Sequence, residues 1–331
     1  MNVSNRQLVR GIVVGLVLAL GVLTALTVIG DARELRTTLS QFQWIYLVPI
    51  LGLTIWNYWW RFRKWEIYLE ALGVPHIPRS RGLPIFLSGF SMSVTPGKVG
   101  EVIKAFFVRR ETDAPVERVS GAVVAERGTD GLAMLVLALI GATQFSYGRV
   151  FVGAIVVAAA IVLILIRQPR FLAAVVRLIE RLPILNRVAH LAESFLDATT
   201  HLLSPALLTR GTTLGVISWI GECVAFFLVL VGLGLPATGS LLMIAIFVLA
   251  VSSLAGGISM LPGGLGVADA SVAGMLLVLV KDPKMTESMA ITATLIIRFA
   301  TLWFAVLIGA IMLLVLRHTS RVAPLGSARN A

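Results

Sequence analysis

Apolar residues in this chain gather into long runs separated by short, basic stretches. Six runs approach the roughly 20 residues that carry an α-helix across about 30 Å of hydrocarbon: 11–29, 44–60, 119–146, 150–166, 211–234 and 287–316. Each is expected to be a full crossing. Two more apolar regions, 83–108 and 241–280, are broken near the middle by Pro96-Gly97 and by Pro262-Gly263-Gly264. The arms 83–95 and 98–108 are too short to cross comfortably, so both regions are expected to enter the membrane and turn back. The plainer alternative makes every arm a full span joined by a Pro-Gly turn.

The two breaks share one pattern, Pro-Gly-x-apolar-Gly, at 96–100 and 262–266. Each is followed by a spanning run that carries an arginine, Arg127 after the first and Arg298 after the second. The basic loops set the direction of each hairpin, because short cytoplasmic loops are rich in Lys and Arg. Arg6 and Arg10 place the N-terminus inside, Arg61, Arg63, Lys64, Arg79 and Arg81 form an inner loop after the second span, and Arg317 and Arg321 end the chain inside. On this path the first hairpin enters from the cytoplasm and the second from outside, which is an inverted repeat; Lys281 and Lys284 alone fall on the wrong side. Interrupted helices in such repeats offer freed backbone N–H groups to anions near the bilayer midplane.

The expected fold is therefore an all-α integral membrane protein of about six full spans plus two broken hairpins. A first half covers 1–167 with the hairpin 83–108, and a cytoplasmic amphipathic surface segment or plain linker covers 168–208. A second half covers 209–317 with the hairpin 241–280, and a disordered tail covers 318–331. The expected location is the cell inner membrane, with both termini cytoplasmic.

Composition agrees with that class and removes others. The 331 residues are 57% hydrophobic and 14% charged, against about a quarter charged in soluble domains. The formal charge of +11 would suit nucleic acid, but the basic residues sit between spans and not on a polar domain, so no nucleic-acid partner is expected. One cysteine, Cys223, allows neither a disulfide nor a Cys-based metal site within the chain.

The charges inside the apolar runs are the candidate chemistry. Each costs roughly 2.5–3.5 kcal/mol to insert, so such residues pair or face a pathway. Lys98, Glu101 and Lys104 crowd the first hairpin in "SVTPGKVGEVIKAFFVRR". Glu126 and Asp130 lie four apart, on one helix face, with Arg127 beside them. Glu222 lies near the centre of 211–234, Asp269 follows the second break, and Arg298 lies deep in the last span. These nine are the candidate substrate-binding residues, with Pro96, Gly97, Gly100, Pro262, Gly263, Gly264 and Gly266 as hinge and backbone positions. The competing reading is a structural ion-pair lock between helices. Enzyme motifs fail: Gly97-Lys98 lacks the spacing of a P-loop, the four histidines lie outside the spans without an H-x-x-x-H pattern, and there is no G-x-S-x-G. No cofactor and no metal are expected. The aromatic run Trp56, Tyr58, Trp59, Trp60, Phe62 and Trp65 reads as an interfacial belt, or else as an aromatic box for a headgroup.

At "TPGKVGEVIKAFFVRR" (95–110), "ERGTD" (126–130), "LPGGLGVADA" (261–270) and "RFATLW" (298–303) the sequence resembles the lysylphosphatidylglycerol synthase transmembrane family, the flippase-like domain at the N-terminus of multiple-peptide-resistance factors. The resemblance implies movement of a lipid or lipid-linked headgroup between leaflets. The second motif of the family usually ends in Glu where this chain has Asp269, a shorter acid. Bifunctional relatives continue into a soluble aminoacyltransferase domain, whereas this sequence ends at Ala331, so the expectation is a transporter and not an enzyme. A lipid translocase leads. A membrane-embedded transferase and a lipid-presenting partner subunit remain as alternatives, with a homo-oligomer or a partner lipid-modifying enzyme left open.

Overall fold

The computed structural model of the protein describes residues 32–95, 100–145 and 198–322, with the single positions 153 and 157. The expected spans 11–29 and 150–166, the residues Pro96, Gly97 and Lys98, most of 168–208 and the end of the tail lie outside the described residues. Among the described residues the fold is helical throughout, with no strand. In chain order the helices are α1 (Ala32–Gln41), α2 (Leu47–Ala71), α3 (Arg79–Ser88), α4 (Ile103–Thr112), α5 (Val116–Ala142), α6 (Pro205–Gly232), α7 (Gly239–Ile258), α8 (Val267–Leu279), α9 (Glu287–Arg298) and α10 (Phe304–Val322).

Local chemistry sets several of these ends. Pro205 opens α6, where a missing N–H costs nothing. Thr238 accepts a hydrogen bond from the Leu241 N–H at the start of α7, and Thr286 accepts one from Met289 at the start of α9. Between α9 and α10, Phe299–Trp303 forms one π-helical turn, directly after Arg298.

Pro205–Gly232, Gly239–Ile258, Pro262–Leu279 and Glu287–His318 are each long and apolar enough to cross a membrane. Arg33–Gln41 and Trp44–Ala71, bent by 69°, make a further broken candidate. Helix α5, at 27 residues, has the length for about 40 Å but carries Glu126, Arg127 and Asp130 in its middle. Around the first break α3 and α4 are 10 residues each, about 15 Å and half the hydrocarbon thickness. The arms of the second break, α7 and Pro262–Leu279, each have the length of a full crossing.

One expected boundary is wrong. The second span does not stop at residue 60 before a basic loop; α2 runs on to Ala71 and takes Arg61 and Lys64 into the interior, at 6% and 1% exposure. The aromatic run is likewise not a uniform belt. Tyr58, Phe62 and Trp65 are buried, while Trp56 and Trp59 face outward. The charges of Arg61 and Lys64 are met by Glu126 and Asp130 inside the bundle.

Among the described residues, two large apolar clusters hold the bundle together. One joins α6, α7, α8 and α9 around Phe226, Leu230, Val248, Leu276 and Ala293. The other joins α2, α3, α4 and the start of α5 around Phe62, Trp65, Tyr68, Phe86, Val108 and Ala122. Without a hydrophobic drive between helices in lipid, close packing at small residues carries the association. Gly309 on α10 sits so near the 3-10 turn Gly89–Met92 that a Cβ there would lie 2.2 Å from the Ser91 nitrogen.

Candidate functional site

Three elements deliver the charged centre. Helix α2 presents Arg61 and Lys64 three residues apart; the segment entering α4 presents Glu101 and Lys104, also three apart; α5 presents Glu126, Arg127 and Asp130. Glu126 Oε1 accepts from Arg61 at 3.1 Å and from Arg127 at 2.6 Å, and its Oε2 accepts from Lys104 at 2.6 Å. Asp130 pairs with Lys64 at 2.5 Å, Arg127 at 3.4 Å and Arg61 at 3.8 Å. Glu101 lies 3.4 Å from Arg127 and 4.0 Å from Lys104. Four cations and three carboxylates thus share one site, leaving one positive charge in excess.

The surroundings hold this cluster in a dry setting. Glu126 is fully buried, and Lys64, Glu101 and Lys104 are each 1% exposed. Lys104 Nζ stands 4.9 Å from the centre of the Phe86 ring, and the Arg61 guanidinium 4.8 Å from that of Phe90, within range of favourable cation–π contact. Ser93, just before the first break, donates to Glu101 Oε1 at 3.2 Å and so ties the break to the cluster. Arg127 is the member that opens outward, with 23% of its side chain exposed.

The second break builds a smaller version. Asp269, in the first turn of α8, pairs with Arg298 at 2.5 Å and accepts the Gly266 N–H at 2.8 Å. Arg298 also donates to the Gly263 carbonyl at 3.4 Å. Gly263, Gly264 and Gly266 all have φ between 62° and 84°, the left-handed region closed to most side chains, which is how the chain turns there at all. Here too the carboxylate is the buried member, at 3% side-chain exposure, and the arginine the partly open one, at 20%.

The two halves repeat a relationship. After each break an acid (Glu101 or Asp269) pairs with the arginine of the following helix (Arg127 or Arg298). The second break comes near Val94: a Cβ on Gly263 would lie 3.7 Å from Val94 Cγ1. Tyr58, one turn before Arg61 on α2, donates to the Thr301 carbonyl in the π turn at 2.9 Å, joining the first half to the turn after Arg298. Such turns gather at functional sites.

Of the sequence candidates, Glu101, Lys104, Glu126, Arg127 and Asp130 converge, and Asp269 and Arg298 form the second pair. Glu222 is buried on α6, close enough to Tyr58 to act on it electrostatically. Gly100 packs against Met92 and Thr95 at the edge of the first break. Arg61 and Lys64 were missed, assigned to a loop. The signal for them was present: Glu126 and Asp130 need buried cations, and the run Trp65–Leu72 stays largely apolar beyond the charges.

The arrangement can hold and partly neutralise charge inside an apolar bundle. Among the described residues no group of three His, Cys, Asp or Glu gathers as metal ligands would.

Comparison with known proteins agrees with this architecture. A UPF0104 membrane protein of Methanothermobacter thermautotrophicus is 25% identical over an alignment that covers 74% of this chain and 78% of the relative. Residues 12–309 match the lysylphosphatidylglycerol synthase TM region, which takes in both breaks and every charged residue of the site. The protein is a multi-pass membrane protein and belongs to the lysylphosphatidylglycerol synthase transmembrane-region family.

Proposed function

We propose that this protein is a lipid translocase of the cell inner membrane, with both termini cytoplasmic, that passes a polar headgroup between leaflets while the tails remain in the bilayer. The observation that carries the reading is the repeated pair, Glu101 with Arg127 and Asp269 with Arg298, with Val94 lying close to Gly263. Irregular backbone at membrane depth is tolerated only where protein or a water-filled cavity surrounds it. Two such breaks, each fitted with a partly exposed guanidinium, supply polar contacts along a path that lipid alone cannot offer. No bond is made or broken in this reading.

The test is headgroup accessibility in sealed vesicles reconstituted with the purified protein and a fluorescent tail-labelled phospholipid. A membrane-impermeant quencher reaches only the outer leaflet. The expected result is that protein-containing vesicles lose the protected inner half within minutes, and that Arg127→Ala and Arg298→Ala vesicles keep it. Retention of the protected half by vesicles containing the unaltered protein would overturn the reading.

A further inference from the structure

We infer that Asn57 is a further binding residue of this site and that it takes hydroxyl groups of the headgroup, so that the lipid moved is one whose headgroup is a polyol. This rests on the proposed translocation and narrows its substrate.

Asn57 lies on α2 one turn before Arg61, on the same face and about 6 Å away along the helix axis. It is buried against α6, where the Ser218 hydroxyl donates to its backbone carbonyl at 3.2 Å. The side-chain amide is left over: among the described residues, both Nδ2 and Oδ1 are buried without a hydrogen-bond partner. An amide in that state costs roughly 1–3 kcal/mol, a cost that a leucine of similar size at the same place would not incur.

The neighbours of Asn57 share this condition, and they are of both kinds. Nε of Arg61, Nε of Arg127 and the indole N–H of Trp219 are buried donors without an acceptor, while Oε2 of Glu101 and Oδ2 of Asp130 are buried oxygens without a donor. These groups lie close together. Arg61 Nε and Asp130 Oδ2 face each other at 3.8 Å, too far to bond directly, and the Arg61 guanidinium stands 5.7 Å from the centre of the Trp219 ring. Arg127 is 3.4 Å from both Glu101 and Asp130. With the Asn57 amide the set holds four donors and three acceptors. An anion would satisfy the donors and leave the oxygens bare; an ammonium would do the reverse. A hydroxyl donates and accepts at once, so it can bridge groups that stand too far apart to bond, as Arg61 and Asp130 do. Two hydroxyls on adjacent carbons also complement a carboxamide, one accepting from Nδ2 and the other donating to Oδ1. The matching is by donor and acceptor, and net charge does not enter it.

Exchange rates of tail-labelled phosphatidylglycerol and tail-labelled phosphatidylpropanol, measured in proteoliposomes of otherwise equal composition, test this directly. The two headgroups carry the same charge, and phosphatidylpropanol lacks only the hydroxyls. Phosphatidylglycerol is expected to exchange at least about tenfold faster, the size of one hydrogen bond to a buried polar group. Asn57→Leu should bring the two rates together while the melting temperature holds, because an apolar side chain replaces an amide that has no partner within the chain. Trp219→Phe, which loses the indole N–H and keeps an aromatic ring, is the second variant and should shrink the ratio in the same direction. Equal rates in the unaltered protein overturn the inference while leaving translocation intact, and assign the leftover donors and acceptors to water alone. A ratio that neither variant changes overturns it as well. If neither lipid moves, translocation itself fails, and binding decides the hydroxyl question: the melting temperature of the detergent-purified protein is read with each lipid. Stabilisation by phosphatidylglycerol above that by phosphatidylpropanol, lost in Asn57→Leu, upholds the inference; equal shifts overturn it.

Discussion

Lys64, buried in α2, places its Nζ 2.5 Å from Oδ1 of Asp130 on α5, the two side chains being 1% and 7% exposed. The pair lies between helices that a hydropathy reading separates into a span and a loop. Its strength comes from its company: Lys64 also donates to Thr129 Oγ1 at 3.3 Å, and Asp130 is shared with Arg61 and Arg127.

Removing one member of a buried pair costs about 3–5 kcal/mol where it strands the other. Loss of Lys64 leaves Asp130 with Arg127 and Arg61, whereas loss of Asp130 leaves four cations to two acids. Asp130→Leu is therefore expected to lower the melting temperature in detergent more than Lys64→Met. Equal shifts, or a larger one for Lys64→Met, would show that Arg61 and Arg127 do not depend on Asp130.

Arg298 is joined to two partners at once, Asp269 and the Gly263 carbonyl. Arg298→Lys keeps the charge but not the fork, and a single ammonium cannot span both. The expected outcome is a fall in lipid exchange of about tenfold with little change in melting temperature, one charged hydrogen bond being lost at the break. The check is to run both measurements on the same preparation. Unchanged exchange would reduce Arg298 to a counter-charge for Asp269.

Close packing of α10 on the first half depends on one missing methyl group. A Cβ at Gly309 would meet the Ser91 nitrogen at 2.2 Å and the Phe90 carbonyl carbon at 2.7 Å, both backbone atoms that cannot swing aside. Gly309→Ala is expected to cost about 1–3 kcal/mol, as overpacking does. Gly274→Ala on α8, where nothing lies within 4 Å, should instead stabilise by about 0.5–1 kcal/mol through the lower entropy of alanine. Melting curves of the two variants should move in opposite directions; a shared direction would mean α10 is free to slide.

The second break and the charges of α5 and α9 were legible in the sequence because each is an exception to an apolar run, and exceptions inside a membrane have few physical causes. Glu126 with Asp130 four residues on, and Pro262-Gly263-Gly264 amid leucines and valines, announce themselves this way. Arg61 and Lys64 did not, because charge at the end of an apolar run normally marks the membrane surface. What separates the two cases is the partner across the bundle, and one-dimensional hydropathy carries no information on partners. Fixed aromatic expectations failed for the same reason: Trp65 and Trp59 differ by six residues and look alike in composition, yet one packs in the core and the other faces outward.

Asp269 does two jobs that substitutions can separate. It neutralises Arg298, and it accepts the Gly266 N–H, an orphan donor at the start of α8. Asp269→Asn keeps an acceptor for that N–H but removes the negative charge; Asp269→Ala removes both; Asp269→Glu keeps both, since an acid three residues after the cap residue reaches back to it in many helices. The expected order of melting temperature is therefore Asp269 and Asp269→Glu together, then Asp269→Asn, then Asp269→Ala, the last step being about 1 kcal/mol for the lost cap. Lipid exchange should follow a different order: normal for Glu and strongly reduced for both Asn and Ala, because only a carboxylate holds Arg298 in place beside the break. Exchange that tracks melting temperature across the series would mean that Asp269 acts through helix stability alone. A split between the two readouts would assign it to the orientation of the arginine.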